Sequence, residues 1–401
     1  MSAGKPRLLM VGHMYATAFN RRKLNPLADD FEVTCVTWEL NETKLFGLPL
    51  AVFEKEDHEP RYELVRLPVW PRRAGITRYV HEGLSRVMRE KAYDVVLVDS
   101  EPWGLIRWQV WAMTRMMQPW AMFGEFTWEN VERCGLKGGV LSVIYRLAAC
   151  THDFSISGNQ ACRAILLKHG AKAEMNLVAA QLGVESADFR PATAAEKAEL
   201  RVKLGVAKEG FLVGFCGRLN AEKGIRELLA AVEEVRALMP ERDVRLALLG
   251  HGLMDDELKA MRAEKRWLDV LAPRPHREVA EFMRSLDLFV LASKPVHEGP
   301  SVWEEQFGHV LIEAMAARVA TLGSASGAIP EVIGMEEAVF AHSDAKALAD
   351  VMARWVRDDE GRERLAEAQR QRTLANYTHE ALGRTWSDFL LKNLKKRRLV
   401  S

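Results

Sequence analysis

Short apolar runs alternate along this chain with longer segments whose apolar residues recur at helical spacing, the pattern of parallel α/β sheets. In the first half the runs at 7–11, 33–37, 64–67, 95–98, 120–123 and 154–157 predict strands. Most lack an alternating polar position, as strands covered on both faces should. Helices are predicted between them, at 80–91 and 141–149 among others. The second half repeats the rhythm, with strands at 212–216, 244–249, 268–271, 288–292 and 320–322 and helices at 225–238, 277–285 and 310–317. Two halves of similar rhythm predict an α/β chain of two Rossmann-like, parallel-sheet lobes. The join falls within 183–203, and the expected divisions are 1–185, 186–375 and a last helical segment, 376–401. That segment ends in a basic cluster, Lys392, Lys395, Lys396, Arg397 and Arg398. Ligands of open α/β sheets bind beyond the carboxyl ends of the strands. A ligand held between two such lobes is therefore expected.

Composition narrows the partners. The chain has 401 residues, long enough for two domains. Lys plus Arg number 56 against 55 Asp plus Glu, a net charge of +1. That balance argues against nucleic acid as the main partner, since neutralising many phosphates needs a basic surplus. The cysteines, Cys35, Cys134, Cys150, Cys162 and Cys216, form no Cys-x-x-Cys and no zinc or disulfide framework. A reducing compartment is expected. The amino terminus has too short an apolar core for a signal peptide. The longest apolar stretch, 108–123, is interrupted by Arg115 and Gln118 and falls short of a membrane span. The expectation is a soluble, cytoplasmic protein, at most peripheral at a membrane.

The most specific chemistry lies in EQFGHVLIE (305–313). Eight helical steps turn about 800°, so two glutamates on one helix would point about 80° apart. Placing Glu305 in the loop and Glu313 within the helix lets both address one ligand. Backbone N–H groups of Gly308, His309 and Val310 then face the same space. A helix amino terminus favours anions, phosphate above all, and a carboxylate beside a ribose accepts bonds from its hydroxyls. The plainer alternative is an amphipathic helix with surface glutamates. A second segment, GRLNAEKG (217–224), follows a predicted strand, and its Arg218 and Lys223 suit a diphosphate. It is neither a Walker loop nor a G-x-G-x-x-G dinucleotide fingerprint. Tight turns are predicted at Gly250, around Arg274 and Pro275, and at SGAIPE (326–331).

The order GRLNAEKG, LLGHG, PHREVAEFM, EQFGHVLIEAMA and SGAIPEV resembles the family 4 glycosyltransferases of the GT-B fold. TWEN (127–130), LGVESADFRP (182–191) and HMYATAFNRRK (13–23) resemble the family more loosely. The resemblance implies an acceptor-binding first lobe, a nucleotide-sugar-binding second lobe, and a last helix crossing back to the first. It implies that Arg218 and Lys223 bind the donor diphosphate, that Glu313 holds the ribose, and that Glu305 contacts the transferred sugar or its phosphates. Gly308, His309 and Val310 would offer N–H groups, with Gly250 and Arg274 lining the donor site. It further implies retention of anomeric configuration with no metal or other cofactor. The absence of any Asp-x-Asp agrees with this.

Many members carry a histidine after a first-lobe strand, near the donor sugar. Here FGEFTWEN (123–130) has none, and Glu125 is assigned that place, with Trp128 and Asn130 near the acceptor. His13 is a further candidate. The implied partners are a nucleoside-diphosphate-sugar donor and a glycan, lipid-linked or small-molecule acceptor, in polysaccharide assembly. Alternatives are a synthase or phosphorylase of a small sugar and a non-catalytic nucleotide-sugar binder. Trp103, Trp108, Trp111, Trp120 and Trp128, with Arg21-Arg22-Lys23 and Arg72-Arg73, raise a peripheral membrane contact; a tryptophan-rich core is the alternative.

Overall fold

Seven strands build the first sheet: β1 (Arg7–Gly12), β2 (Glu32–Trp38), β3 (Glu63–Leu67), β4 (Val95–Asp99), β5 (Met122–Thr127), β6 (Phe154–Ser157) and β7 (Asn176–Val178). They are parallel and ordered β7-β6-β5-β4-β1-β2-β3. The computed structural model describes all residues except 1–3, 40–43, 46–47, 50–58, 72–74, 76, 299–300 and 401. Arg72 and Arg73 therefore lie outside the described residues. The second sheet is also parallel, with β8 (Phe211–Arg218), β9 (Val244–His251), β10 (Leu268–Leu271), β11 (Leu288–Leu291), β12 (Ala320–Ser324) and β13 (Val339–Phe340) in the order β10-β9-β8-β11-β12-β13. Both orders run outward in two directions from a central strand pair, the doubly wound Rossmann arrangement.

Contacts divide the chain into two units, 1–183 with 379–401, and 184–378. The last helix (His379–Val400) belongs to the first unit because its apolar face completes that core. Trp386, Leu390 and Leu394 pack with Leu24, Leu27 and Phe31. No helix among the described residues is long and apolar enough to cross a membrane.

Two local expectations are corrected. Residues 80–91 are not one helix: Val80–His81 is a short strand, and the helix begins at Leu84. Gly83 between them has φ +83°, a left-handed conformation that glycine adopts at little cost. The fifth strand runs Met122–Thr127 rather than 120–123, carrying Glu125 into the interior.

Two of the basic residues proposed beside the tryptophans are also placed differently. Arg21 and Lys23 are fully buried. Arg21 donates to the carbonyls of Tyr15 at 2.6 Å and Ala16 at 2.9 Å. The Lys23 ammonium stands 3.5 Å from the Trp386 ring centroid. Neither can meet a lipid head group. Of the five tryptophans only Trp120 is mostly exposed.

Candidate active site

Parallel strands bring their carboxyl ends to one edge, and in the second unit that edge gathers the glycine-rich turns. Gly217 and Gly250 are partners across β8 and β9, with φ of +148° and +150°. A Cβ on Gly250 would stand 1.8 Å from the Gly217 carbonyl oxygen. Only glycine allows this approach. Gly250→Ala is therefore expected to lower the melting temperature and weaken ligand binding together, which a thermal melt with and without ligand would show. The GRLNAEKG turn is tied down at its far end as well. A Cβ on Gly224 would meet the Ala292 oxygen at 1.9 Å, and the Lys294 N–H donates to the Glu222 carbonyl at 2.9 Å.

This anchoring holds Lys223 against the loop that precedes the helix His309–Ala316. Lys223 Nζ donates to Glu305 Oε2 at 2.6 Å, and the same oxygen accepts from Ser293 Oγ at 2.8 Å. Both charges are mostly buried, and Nζ lies 4.8 Å from the Trp303 ring centroid. The Glu305 backbone is fixed in turn by SGAIPE: the Ala328 N–H donates to its carbonyl at 2.9 Å. Arg218, at the end of β8, is largely exposed, with Glu222 at 3.6 Å.

Glu313 lies within the helix, and its side chain is almost completely buried. His276 Nε2 at 2.7 Å and His309 Nδ1 at 3.0 Å both reach its Oε1, and a carboxylate can only accept, so both imidazoles donate. Burial alone would raise the Glu313 pKa. The bonds from His276 and His309 and their charge outweigh it and hold the pKa at about 2, below the usual 4.5. A carboxyl depressed in the folded state supplies stability that is complete above the unfolded value. That stability is lost as pH falls from 4.5 toward about 2. The denaturation midpoint of Glu313→Gln is accordingly expected to change less than that of the parent across this window.

The structure places the other residues expected in the second unit as follows. Gly308 caps the helix with φ +75°, turning the chain so that His309 and Val310 open the first turn. Arg274 stands in the turn before the helix His276–Ser285, paired with Glu278 at 2.9 Å. His276, Ser293 and Trp303 were not singled out from the sequence. PHREVAEFM contained His276 at a helix start, but nothing local to it reveals a partner 37 residues away.

Glu125 and His13 belong to the first unit. Glu125 is wholly buried and pairs with Arg107 Nε at 2.7 Å and His152 Nδ1 at 3.0 Å. Burial opposes its ionisation, but Arg107 and His152 hold the pKa at about 2. With no surface to offer a sugar, Glu125 is an internal ion-pair residue, which corrects its assignment as a substrate contact. His13 follows β1 and is buried beside Trp38, at 5.8 Å between ring centroids. Burial, with His81 nearby, lowers its pKa to about 4, so the ring is neutral near pH 7. Asn130 is half-buried, as is Trp128, whose Nε1 donates to Gln181 Oε1 at 3.0 Å.

Residues 196–372 match the family described as Glycosyl transferases group 1. The chain adopts the GT-B fold: the structure of Anabaena Alr3699/HepE in complex with UDP and glucose superposes with a TM-score of 0.66 over 96% of this chain and 99% of that one, at 16% identity. Over 210 residues the chain is 25% identical to a GDP-mannose-dependent monoacylated alpha-(1-6)-phosphatidylinositol monomannoside mannosyltransferase of Corynebacterium glutamicum, covering 52% of this chain and 54% of that protein. It is 30% identical over 196 residues to a D-inositol 3-phosphate glycosyltransferase of Frankia alni, covering 46% and 45%. The alignments span about half the length of these curated relatives. The similarity to Glycosyl transferases group 1 is thus carried by residues 196–372, within a chain of GT-B fold.

Proposed function

We propose that this protein transfers a sugar from a nucleoside-diphosphate sugar to an acceptor hydroxyl, retaining anomeric configuration and requiring no metal ion. The observation that carries the reading is the fixed pair of carboxylates on the second unit. Glu305 is braced by Lys223 and Ser293, and Glu313 by His276 and His309. In this reading Glu313 Oε2 accepts from the ribose hydroxyls, while Oε1 is held by the two imidazoles. Lys223 and Arg218 bind the diphosphate, and the first turn of His309–Ala316 adds N–H donors.

The chemistry follows from where charge develops. The bond between the anomeric carbon and the phosphate oxygen breaks, and its electron pair passes to the leaving diphosphate. The acceptor oxygen forms its bond on the same face, and its proton passes to a diphosphate oxygen. Cations set before the reaction strengthen their hold as the phosphate gains charge, which lowers the barrier. Lys223 and Arg218 supply that charge in place of a divalent ion. For the acceptor, a glycan or lipid-linked saccharide is favoured, in keeping with the lipid acceptor named for the Corynebacterium glutamicum relative.

The test is to incubate the protein in EDTA with UDP-, GDP- and ADP-sugars and candidate acceptors, and to follow nucleoside diphosphate release and product stereochemistry by NMR. One donor should be consumed without metal, with the anomeric configuration kept. Inversion of that configuration, or turnover only with a divalent cation, would overturn this mechanism.

A further inference from the structure

The helix Gly135–Thr151 has two apolar faces, and only one is covered. Tyr145 and Ala148 turn inward and are buried; Tyr145 packs with Cys162, Ile165 and Leu166, and Leu141 and Ala149 lie against the same cluster. On the other side Leu136, Val140, Val143 and Leu147 are 95%, 63%, 56% and 52% exposed. Their spacing of four, three and four residues places them on one continuous stripe. A contiguous bare apolar stripe on a soluble fold marks an interaction surface.

Charge indicates what covers it. The helix contains no Asp or Glu, and its two charged residues, Lys137 and Arg146, are exposed cations beside the stripe. A cavity of about 390 Å³ opens alongside, lined by Arg133, Arg146, Lys168 and His169 together with Glu129 and Glu132. The two carboxylates are occupied, Glu132 by Lys168 at 2.6 Å and Glu129 by Arg133 at 3.8 Å. Arg146 forms no ion pair among the described residues.

We propose that the outer face of the helix Gly135–Thr151 seats this protein on an anionic lipid bilayer, its apolar stripe entering the acyl boundary and Lys137 and Arg146 meeting the head groups. An amphipathic helix with cations beside its apolar face binds in this way. Two copies of the stripe packed together would set Lys137 and Arg146 against the same residues, a like-charge contact that disfavours self-association. This surface is separate from the donor-site reading and stands or falls without it.

The experiment is co-sedimentation of the full chain with phosphatidylcholine vesicles and with mixed phosphatidylcholine–phosphatidylglycerol vesicles, at low and high salt. Binding is expected only to the mixed vesicles and should weaken with salt. Val140→Asp/Val143→Asp and, separately, Lys137→Glu/Arg146→Glu should each lower it by about tenfold or more. Both pairs are exposed, so melting temperatures should stay near the parent's. The charge pair leaves every apolar contact in place, should the apolar pair misfold. Absence of binding to mixed vesicles, or full binding by both variants, would overturn the proposal. A lipid-free dimer dissociated by Val140→Asp/Val143→Asp would also overturn it, assigning the stripe to a second copy.

Discussion

Lys223→Ala is expected to lower sugar transfer by about 10²–10³-fold, the usual scale for removing one preorganised donor to developing negative charge. The side chain has two duties. In the proposed site it binds the diphosphate, and at 2.6 Å it neutralises a mostly buried Glu305. Removing it would also leave that carboxylate without its cation, a cost in stability of its own. The two effects separate in the double variant Lys223→Ala/Glu305→Gln. Its melting temperature should recover relative to Lys223→Ala, while its transfer rate should not. Equal recovery of both would reduce Lys223 to a structural partner of Glu305.

The second large effect is on stability. Arg107→Met is expected to destabilise the first unit by about 3–5 kcal/mol, measured by urea denaturation at neutral pH. Arg107 and Glu125 both have no exposed side-chain surface. Arg107 Nη2 also donates to the Ala148 carbonyl at 3.0 Å and to Thr151 Oγ1 at 2.7 Å, so Arg107, on the helix Leu105–Met117, ties the strand Met122–Thr127 to the helix Gly135–Thr151. Methionine fills part of the volume but leaves Glu125 with His152 alone. With its largest stabilising charge gone, the Glu125 pKa should rise, so protonation in mild acid should relieve part of the loss. Arg107→Met/Glu125→Gln should restore much of the neutral-pH stability. If Arg107→Met alone costs less than the double variant, the pair is not the brace described.

These two residues also show where sequence reading reached its limit. Most strands were legible because an unbroken apolar run leaves few other places for itself. The strand around Glu125 is expected at 120–123 but runs Met122–Thr127, because a charge after an apolar run reads as a loop. Its partners, Arg107 and His152, are 18 and 27 residues away and meet it only in the folded chain. In the second unit the motifs sit in short contiguous turns, so Lys223, Glu305, Gly308 and Glu313 stand out as candidates, their roles being what the resemblance implies. The imidazoles bracing Glu313 could not be paired that way, since His309 lies one helical turn before it but His276 comes from another helix. The helix Gly135–Thr151 presents the opposite difficulty. Its apolar residues occupy both sides, and only the structure shows which side is bare.

The central claim is that Glu313 and Lys223 belong to a nucleoside-diphosphate site, and thermal stabilisation in EDTA tests it most directly. A ligand that binds the native state alone stabilises it by about 2.7 kcal/mol at a hundred times its dissociation constant. Among UDP, GDP, ADP, CDP and dTDP, one base is predicted to raise the melting temperature in a saturable way. That shift should be lost in Glu313→Ala and reduced in Lys223→Ala. No shift with any of the five or their sugar conjugates, or an undiminished shift in both variants, would contradict the site.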